Sequence, residues 1–564
     1  MKRYFCYILL SSIALQLFGK NGMTELRERV YVQTDKHLYL AGEPILLKLL
    51  TTDAELIPIT FSKIAYVELA NDTIAQLQIK VELTNGTGSG RMLLPADLTT
   101  GYYRLIAYTQ YMRNEGVDIF FEKNIAVLNT FQSGYQPAET EPMEMEHHST
   151  SAVESSVGTI SLQPDKTTYT TRTRGELILG GLPENIHTLS VSIAGKEFIP
   201  VAESNVSLFQ KNMTKKANAF SGNFLPEYEG HIVTGKIIDN QTGEMGVDEG
   251  FLTAGIAFHT GDGIRFFLGQ KSGRGDVRFF TSAVSGTKEI ATVVYNTEEK
   301  YRLDIQSSFI TRYAPKQMSA LHIDSAYYGQ LLARSVALQV FRYFLGNSFE
   351  NQNVPEPHFK MEPTWSYLLD EYTRFTTMRE VFIEFITGAR FRSDAGKQKL
   401  QVLAERGNRL EYGTMPLVLL DGVPVADHDA IFNYNPLFVK QINIYYGPFI
   451  MGGYPFDGIV ELFTYRRLHQ DLNLNSSTQI LAYEGPQLPY RFDAPDYSNE
   501  KNRNSRIPDT RHTLLWNPDV KTDGKISIRL PFDTSNLQGE FQATVEGITK
   551  DGEIIFATSF FKVH

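Results

Sequence analysis

The sequence predicts a mainly β protein built from several domains. Its 564 residues suggest about four domains, because a domain averages about 150 residues. Its 43 glycines, 29 tyrosines and 36 phenylalanines favour aromatic strands joined by tight turns. Hydrophobic residues make up 42% of the chain and charged residues 21%, so the chain carries enough apolar surface to bury a core.

The charge and the cysteine content exclude several functions. The net charge is −10, and a mildly acidic chain is unsuited to a nucleic-acid backbone, which requires a basic face. Cys6 is the single cysteine of the chain, so neither an internal disulfide nor a cysteine-based zinc site can form.

Residues 1–22 are predicted to be a secretory signal peptide. Lys2 and Arg3 precede an apolar run over residues 4–18, which is too short for a membrane-spanning helix. An uncleaved N-terminal anchor is the alternative. Because Cys6 lies at the start of the apolar run, we do not expect it to be lipidated, and a cleaved chain would contain no cysteine.

Residues 23–131 predict a first β-sandwich, and residues 132–157 a linker. Strand-forming runs flank a turn at residues 41–44, and a second turn precedes the aromatic strand at residues 101–108. Strands at this spacing are typical of a sandwich of about 100 residues. The next segment is rich in Glu, Ser, Thr and Pro and has almost no apolar periodicity, which indicates a flexible connection.

The opening motif of the first sandwich recurs after the linker. No closing half follows it there, but a matching pair of strands lies at residues 524–530 and 539–545. We therefore predict that residues 158–228 and 467–564 are two halves of one sandwich, because a half-sandwich cannot bury its inner face alone. Two small independent β domains are the alternative. The recurring residues are Asp35, Lys36, Tyr39, Gly42 and Glu43 in the first copy, and Asp165, Lys166, Tyr169, Gly175 and Glu176 in the second.

The residues between these halves predict two further units and a connector. Residues 229–312 contain the short strands and turns of another sandwich, and residues 313–363 carry a long helical pattern. Residues 364–466 predict a small α+β unit. In that unit Thr377 and Glu380 form a capping box at the start of a helix.

Three groups of residues resemble known families. The two copies of the recurring motif resemble the macroglobulin-type β-sandwich of alpha-2-macroglobulins. Residues 235–239, Gly243 and residues 275–279 are similar to the carboxypeptidase regulatory-like β-sandwich. A third series resembles the plug domain of TonB-dependent outer-membrane receptors; its residues are Asp421, Gly422, Pro424, Asn435, Pro436, Gly447, Gly453 and Gly458.

The resemblances imply a specific architecture. They predict Ig/macroglobulin-like sandwiches with an inserted carboxypeptidase regulatory-like sandwich and a small α+β plug-like domain, as in exported envelope proteins of the Bacteroides-Flavobacterium kind. No transmembrane barrel is expected, because a plugged transporter needs about 22 strands and too few residues follow Tyr465. The plug-like series would then be structural, in a binding domain or in a unit that docks to another chain's barrel.

The chain is predicted not to be an enzyme. It contains neither His-Glu-x-x-His nor Gly-x-Ser-x-Gly, and its 12 histidines form no spaced cluster. The covalent protease traps among macroglobulins need a Cys-Gly-Glu-Gln thioester, which this chain lacks. We therefore expect no catalytic residue, no metal site and no cofactor.

The candidate surface for a partner is an aromatic, Gly-rich loop between two predicted strands. It carries Tyr445, Tyr446, Phe449 and Tyr454. Such loops are adaptable, and exposed aromatic residues often anchor interfaces. The alternative is that Phe449 and Tyr454 pack back on the α+β core.

Together these observations predict a non-catalytic, exported protein that mediates protein–protein interaction. The family resemblances place it in the periplasm or at the outer membrane, held peripherally or through a partner such as an outer-membrane barrel, as an accessory to transport or assembly. A non-covalent, macroglobulin-like module that captures or inhibits proteases is the alternative, with residues 132–157 as its bait.

Overall fold

The protein is mainly β and is organised in several sheets, as the sequence predicts. The computed structural model describes residues 26–132, 160–197, 205–216, 218–245, 253–260, 263–271, 275–282, 284–295, 300–310, 323–345, 362–407, 409–451, 454–466, 477–488 and 490–564, together with 313, 315, 316, 318 and 321. The predicted signal peptide and almost all of the predicted linker lie outside these ranges. Within them, no helix is both long enough and apolar enough to cross a membrane.

The first sandwich closes a continuous core between two antiparallel sheets. One sheet has the order β1-β3-β6 and the other β2-β8-β7-β4-β5, in which β2 and β8 are parallel. Val32, Leu47 and Ile106 are fully buried between the sheets, and helix α1 (Asn205–Met213) packs Phe209 against them. The strands are β1 (Arg29–Thr34), β2 (Leu38–Leu40), β3 (Pro44–Thr52), β4 (Ile64–Ala70), β5 (Ala75–Glu82), β6 (Thr87–Leu93), β7 (Gly101–Tyr108) and β8 (Phe121–Leu128).

The second sandwich is split along the chain, and its two halves pair strand by strand. Leu177 lies opposite Leu530 in one sheet, and Val191 lies opposite Val545 in the other. This is the pairing that a split sandwich requires and that two independent domains would lack. The strands are β9 (Ser161–Pro164), β10 (Thr168–Tyr169), β11 (Arg174–Gly180) and β12 (Ile186–Gly195) from the first half, and β29 (Thr513–Asn517), β30 (Ser527–Asp533), β31 (Gly539–Thr549) and β32 (Ile554–Val563) from the second.

The recurring motif makes the same local structure in both sandwiches. Tyr39 Oη donates to Asp35 Oδ1 at 2.7 Å, and Tyr169 Oη donates to Asp165 Oδ1 at 2.6 Å. In each copy the tyrosine hydroxyl also accepts the backbone N–H of the motif lysine, at 3.3 Å and 3.2 Å. The motif therefore closes a tight loop at the edge of each sandwich.

One predicted correspondence between the two copies is wrong. The motif aspartate also accepts the N–H of the residue 11 positions later, which is Leu46 in the first copy and Glu176 in the second. Glu176 therefore corresponds to Leu46 and not to Glu43. The Gly-Glu pattern misleads because Glu43 lies in the turn before β3, whereas Glu176 lies inside β11.

The inserted sandwich takes its last strand from beyond the α+β unit. Its two sheets have the orders β16-β17-β13-β19 and β15-β14-β18-β28. The sequence analysis assigns residues 467–564 to the split sandwich, but β28 pairs with β18 and buries Tyr483 in the inserted core. The strands are β13 (Ile232–Asp239), β14 (Thr253–Thr260), β15 (Gly263–Leu268), β16 (Gln270–Lys271), β17 (Asp276–Phe280), β18 (Thr287–Tyr295), β19 (Tyr301–Ile305) and β28 (Thr478–Glu484).

The α+β unit contains one sheet with helices packed on it. Thr377 and Glu380 form the predicted capping box, in which the Thr377 hydroxyl accepts the N–H of Glu380. Helix α2 (Tyr328–Leu345) precedes the unit, and α5 (Glu500–Arg503) follows it in the chain. The elements of the unit are β20 (Trp365–Leu368), α3 (Met378–Glu384), β21 (Ala389–Asp394), β22 (Lys397–Arg406), β23 (Arg409–Gly413), β24 (Pro416–Leu420), β25 (Val423–Pro424), α4 (His428–Phe432), β26 (Val439–Met451) and β27 (Tyr454–Thr464).

A buried polar network joins the first sandwich to the inserted one. Tyr66 donates to Glu227 at 3.0 Å, and His231 Nδ1 lies 2.8 Å from the same carboxylate. On its other side His231 Nε2 lies 2.5 Å from Tyr483 Oη, which also accepts from Lys80 Nζ at 3.2 Å. Burial lowers the pKa of His231, although Glu227 opposes that shift. Because the network is enclosed between packed elements, it serves as a joint rather than as an open site.

Candidate interaction site

Residues 445–451 of the aromatic segment belong to strand β26, which pairs with β27, rather than to an adaptable loop. Strand β26 continues through Met451 and pairs with β27, so Phe449 lies opposite Phe456. Tyr445 is 8% exposed, and it packs with Phe449 and Leu268 in an apolar cluster between the α+β unit and the inserted sandwich. These two residues therefore join domains. The side chain of Tyr454 lies outside the part of the chain that the structure describes.

Tyr446 faces a different neighbour from Tyr445. The Trp365 indole N–H donates to Tyr446 Oη at 2.9 Å, and the Tyr446 N–H donates to Thr364 Oγ1 at 3.0 Å. The Tyr446 hydroxyl also crosses close to Gly388, where a Cβ would lie 2.3 Å from it. Tyr446 therefore holds the start of strand β20, at Thr364 and Trp365, through two hydrogen bonds.

Asp421, Gly422 and Pro424 form the turn between β24 and β25. Asp421 and Gly422 both have positive φ, +46° and +89°, as a tight two-residue hairpin turn requires. The Asp421 carboxylate accepts from the N–H and the hydroxyl of Thr464, at 2.7 Å and 2.5 Å. This carboxylate is therefore committed to joining the turn to the end of β27.

The remaining residues of the plug-like series also have structural positions. Asn435 caps the short helical turn that begins with Pro436, and its Oδ1 accepts the N–H of Leu437 at 2.9 Å. Gly447 and Gly458 lie where strands cross closely: a Cβ would lie 2.3 Å from the Asp457 carbonyl oxygen at the first and 2.5 Å from Val402 at the second. Gly453 lies outside the described residues.

The side chains best placed to meet a partner form an exposed apolar patch beside strand β20. We call it the aromatic surface. Trp365 is 47% exposed and Tyr465 is 48% exposed, although large aromatic side chains usually bury most of their surface in a core. Exposed apolar groups that gather on one side of a unit mark interaction sites. The aromatic surface consists of Trp365, Leu368, Tyr372, Leu437, Phe438 and Tyr465.

An arginine joins the parts of this surface. Arg374 Nη2 donates to the carbonyl oxygens of Pro436 and Val439, at 2.9 Å and 3.1 Å. Its guanidinium carbon also lies 6.0 Å from the centre of the Tyr465 ring. Tyr465 donates in turn to Asp370, and that hydrogen bond raises the pKa of the tyrosine. These contacts link three separate segments of the chain.

Aromatic stacking stiffens the other side of the surface. The rings of Tyr372 and Phe385 stack with centroids 4.2 Å apart, and Trp365 stacks on Tyr367 at 6.5 Å. Among the described strands, β20 pairs with β26 alone. Rigid aromatic anchors are features that protein partners use.

The aromatic surface cannot be predicted from local sequence patterns. Its members come from residues 365–372, 437–438 and 465, and no local pattern shows that these segments meet. The sequence contains one signal of this surface, because Trp365 is one of only two tryptophans in the chain. Trp516 is 2% exposed, whereas Trp365 follows a polar stretch and lies on the surface.

The described residues show no metal centre. No three His, Cys, Asp or Glu side chains among them come together in a group that could hold a metal ion. The ionisable groups with large shifts in pKa, such as Glu43 and Glu546, are almost completely buried.

Known proteins give only distant matches. No family model matches the chain, and no curated protein matches it. The chain is similar to the native conformation of Escherichia coli alpha-2-macroglobulin, with 11% identity and a TM-score of 0.22, over 97% of this chain and 40% of that one. It is similar to Salmonella alpha-2-macroglobulin reacted with methylamine, with 11% identity and a TM-score of 0.24, over 95% of this chain and 39% of that one.

A third similarity covers less of the chain. Dimeric latent PorU from Porphyromonas gingivalis matches with 13% identity and a TM-score of 0.16, over 50% of this chain and 34% of that one. The chain spans about two fifths of the length of the macroglobulins it matches.

Proposed function

We propose that this protein is a non-catalytic, exported binding protein and that the aromatic surface is the place where its protein partner docks. The observation that carries the proposal is the exposure of Trp365, Tyr372 and Tyr465 on a framework held by Arg374. Tryptophan, tyrosine and arginine are the residues that contribute most often to binding energy at protein interfaces. Because these side chains are already held in place, binding would cost less side-chain conformational entropy.

The cellular setting of the proposal comes from the sequence. The signal-like segment at residues 1–22 favours export, and the plug-like series favours a role beside outer-membrane transport or assembly. In that role the α+β unit would contact an envelope protein, such as a barrel of another chain.

A photo-crosslinking experiment tests the docking surface. Purified protein with p-benzoylphenylalanine at position 372 is irradiated with membranes of the producing organism. The same substitution at Tyr228, which is 56% exposed and belongs to a different part of the chain, is the matched control. We expect one discrete adduct from position 372 and none from position 228.

A double variant tests whether the adduct depends on the aromatic surface. Trp365→Ser with Tyr465→Ser should remove the adduct at position 372 while the protein stays folded, because both side chains are about half exposed. Identical adducts from both crosslinking positions, or an adduct that survives the double substitution, would contradict the proposal.

The alternative of protease capture depends on a different segment. The predicted bait at residues 132–157 lies almost entirely outside the described residues, so this role stays a prediction from the sequence. Incubation with a protease would favour it if cleavage in that segment reduced the activity of the protease.

A further inference from the structure

A cavity of about 300 Å³ lies where the first sandwich, helix α2 and the split sandwich meet. Cavities at the junction of several units, with an apolar wall and a few converging polar groups, are the usual form of a small-molecule site. Five cationic side chains and two carboxylates line it. These are Lys36, Arg91, Arg334, Arg342 and Arg511, with Asp35 and Glu43.

Both carboxylates are already fully engaged by the protein. Asp35 accepts from Tyr39, from the Leu46 N–H and from Thr513 Oγ1, at 2.7, 3.1 and 2.8 Å. Glu43 accepts from Arg334 at 3.1 Å and forms an ion pair with Lys36 at 3.2 Å. A bound ligand would therefore not meet an unpaired negative charge.

The cations are not all engaged in this way. Arg334 is paired with Glu43 and with Glu197, and Arg511 is paired with Asp509 at 2.7 Å. For Arg342, in contrast, the described residues offer no ion-pair partner. The charge that remains for a ligand at this cavity is therefore positive.

A glycine makes room for that arginine. Gly42 has φ +91°, and a Cβ at this position would lie 2.7 Å from Arg342 Nη1. The guanidinium thus rests over the backbone of the turn before β3, at the rim of the cavity. Any larger residue at position 42 would displace it.

A histidine adds an unsatisfied polar atom to the lining of the cavity. His512 lines the cavity, and its Nδ1 is buried without a hydrogen-bond partner among the described residues. Burial lowers the pKa of His512 well below its usual value, so the ring is neutral and can donate one hydrogen bond. Buried polar atoms in proteins normally have a hydrogen-bond partner, and a bound group could supply the one that this nitrogen lacks.

The cavity also has an apolar lining. Leu93, Leu338, Phe341, Phe492 and Leu537 contribute to it, so a ligand would have to bring apolar surface as well as charge. We propose that this cavity binds a small organic anion, a carboxylate carried on a short apolar chain. Arg342 and His512 would receive the carboxylate, and the leucine and phenylalanine side chains would receive the chain.

Calorimetric titration of the full chain with sodium octanoate tests the proposal, and octanol is the uncharged control of equal length. We expect one saturable site for octanoate with a Kd on the order of 10–100 μM, which is reasonable for about ten heavy atoms. Octanol should bind at least tenfold more weakly. Equal binding of the two, or no saturable binding of octanoate in the millimolar range, would overturn the assignment of an anion site.

Two variants locate the site. Arg342→Gln should weaken octanoate binding at least fivefold, and Leu93→Glu, which places a negative charge at a half-exposed position on the rim, should weaken it at least tenfold. Arg379→Gln, an exposed arginine on the α+β unit, is the matched control and should change nothing. Unchanged octanoate binding in both cavity variants would overturn the location. Because the aromatic surface shares no residue with the lining of this cavity, Trp365→Ser should leave octanoate binding intact.

Discussion

Arg334 of helix α2 donates to the Glu43 carboxylate of the first sandwich through Nε at 3.3 Å and through Nη2 at 3.1 Å. Both side chains are almost completely buried, and Arg334 also donates to Glu197 at 2.9 Å. Burial alone would raise the pKa of Glu43, but Arg334 and Lys36 hold it at about 2. The pair therefore ties the helix to the first sandwich as an ionised unit.

Removal of one partner of this pair should destabilise the protein strongly. Arg334→Leu leaves the Glu43 and Glu197 carboxylates buried with less compensation, and we expect a loss of about 3–5 kcal/mol in the free energy of unfolding. Urea unfolding measures it. The double variant Arg334→Leu with Glu43→Leu should recover part of that loss, whereas a single variant as stable as the unmodified chain would contradict the role of the pair.

The stability of the protein should fall as the pH rises towards neutrality because of Glu546. Burial raises the pKa of this carboxyl to about 7, although Lys123 and hydrogen bonds from Tyr31 and Asn205 oppose that shift. The folded state therefore holds a proton that the unfolded chain loses above pH of about 4.5. The contribution is complete below that pH and is lost as the pH rises through 7.

Glu546→Gln tests this dependence, because glutamine keeps the shape of the protonated carboxyl. We expect the variant to be more stable than the unmodified chain at pH 8, by about 2–4 kcal/mol, and equally stable at pH 4.5. Melting temperatures across pH 4.5–8 measure the effect. Glu553→Gln changes an exposed carboxyl and is the control; a parallel pH dependence in all three proteins would refute the prediction.

Two glycine substitutions of the same kind should have opposite effects. At Gly458 a Cβ would lie 2.5 Å from Val402 and 2.8 Å from the Tyr445 carbonyl oxygen, so alanine must push β22 or β26 aside. We expect Gly458→Ala to cost about 1–3 kcal/mol. Gly329 lies in helix α2 with nothing within 4 Å of such a Cβ, and alanine there should stabilise the helix by up to about 1 kcal/mol. Differential scanning calorimetry of both variants checks the signs.

Local patterns in the sequence were sufficient for some features of the fold. The capping box at Thr377 and Glu380 depends on residues close together in the chain, and both of its hydrogen bonds are present. The recurring aspartate and tyrosine motif also depends on short spacings. Such features can be predicted because neighbouring residues determine them.

Other features depend on which distant strands meet, and no local pattern contains that information. Strand β28 contains a short apolar run at residues 480–483 that would suit either sandwich, and only its pairing with β18 assigns it to the inserted one. The aromatic surface combines three segments that Arg374 joins through the Pro436 and Val439 carbonyls. Tyr445 and Phe449 have the composition of an interface, and they do form one, but it lies between two units of the same chain.

The split sandwich predicts that a disulfide can join its two halves directly. Ser192 of β12 lies opposite Thr544 of β31 in an antiparallel pair. The Cα atoms of such partners are about 4.5–5.5 Å apart, within the range that a disulfide spans. In a chain expressed without residues 1–22, Cys6 is absent and an introduced pair has no competing thiol.

Ser192→Cys with Thr544→Cys should therefore form a disulfide almost completely under mild oxidation. Mass spectrometry after tryptic digestion should recover one linked peptide that contains residues from both halves. Ser192→Cys with Thr558→Cys is the control, because Thr558 lies opposite Thr544 on the next strand, roughly 10 Å from Ser192 and beyond disulfide reach. A linked peptide from the control pair, or none from the Ser192 and Thr544 pair, would show that β12 and β31 do not pair in this register. Two separate domains would give free thiols in both proteins, whereas one sandwich closed by strands from both sides of the insertion gives a disulfide in the first pair alone.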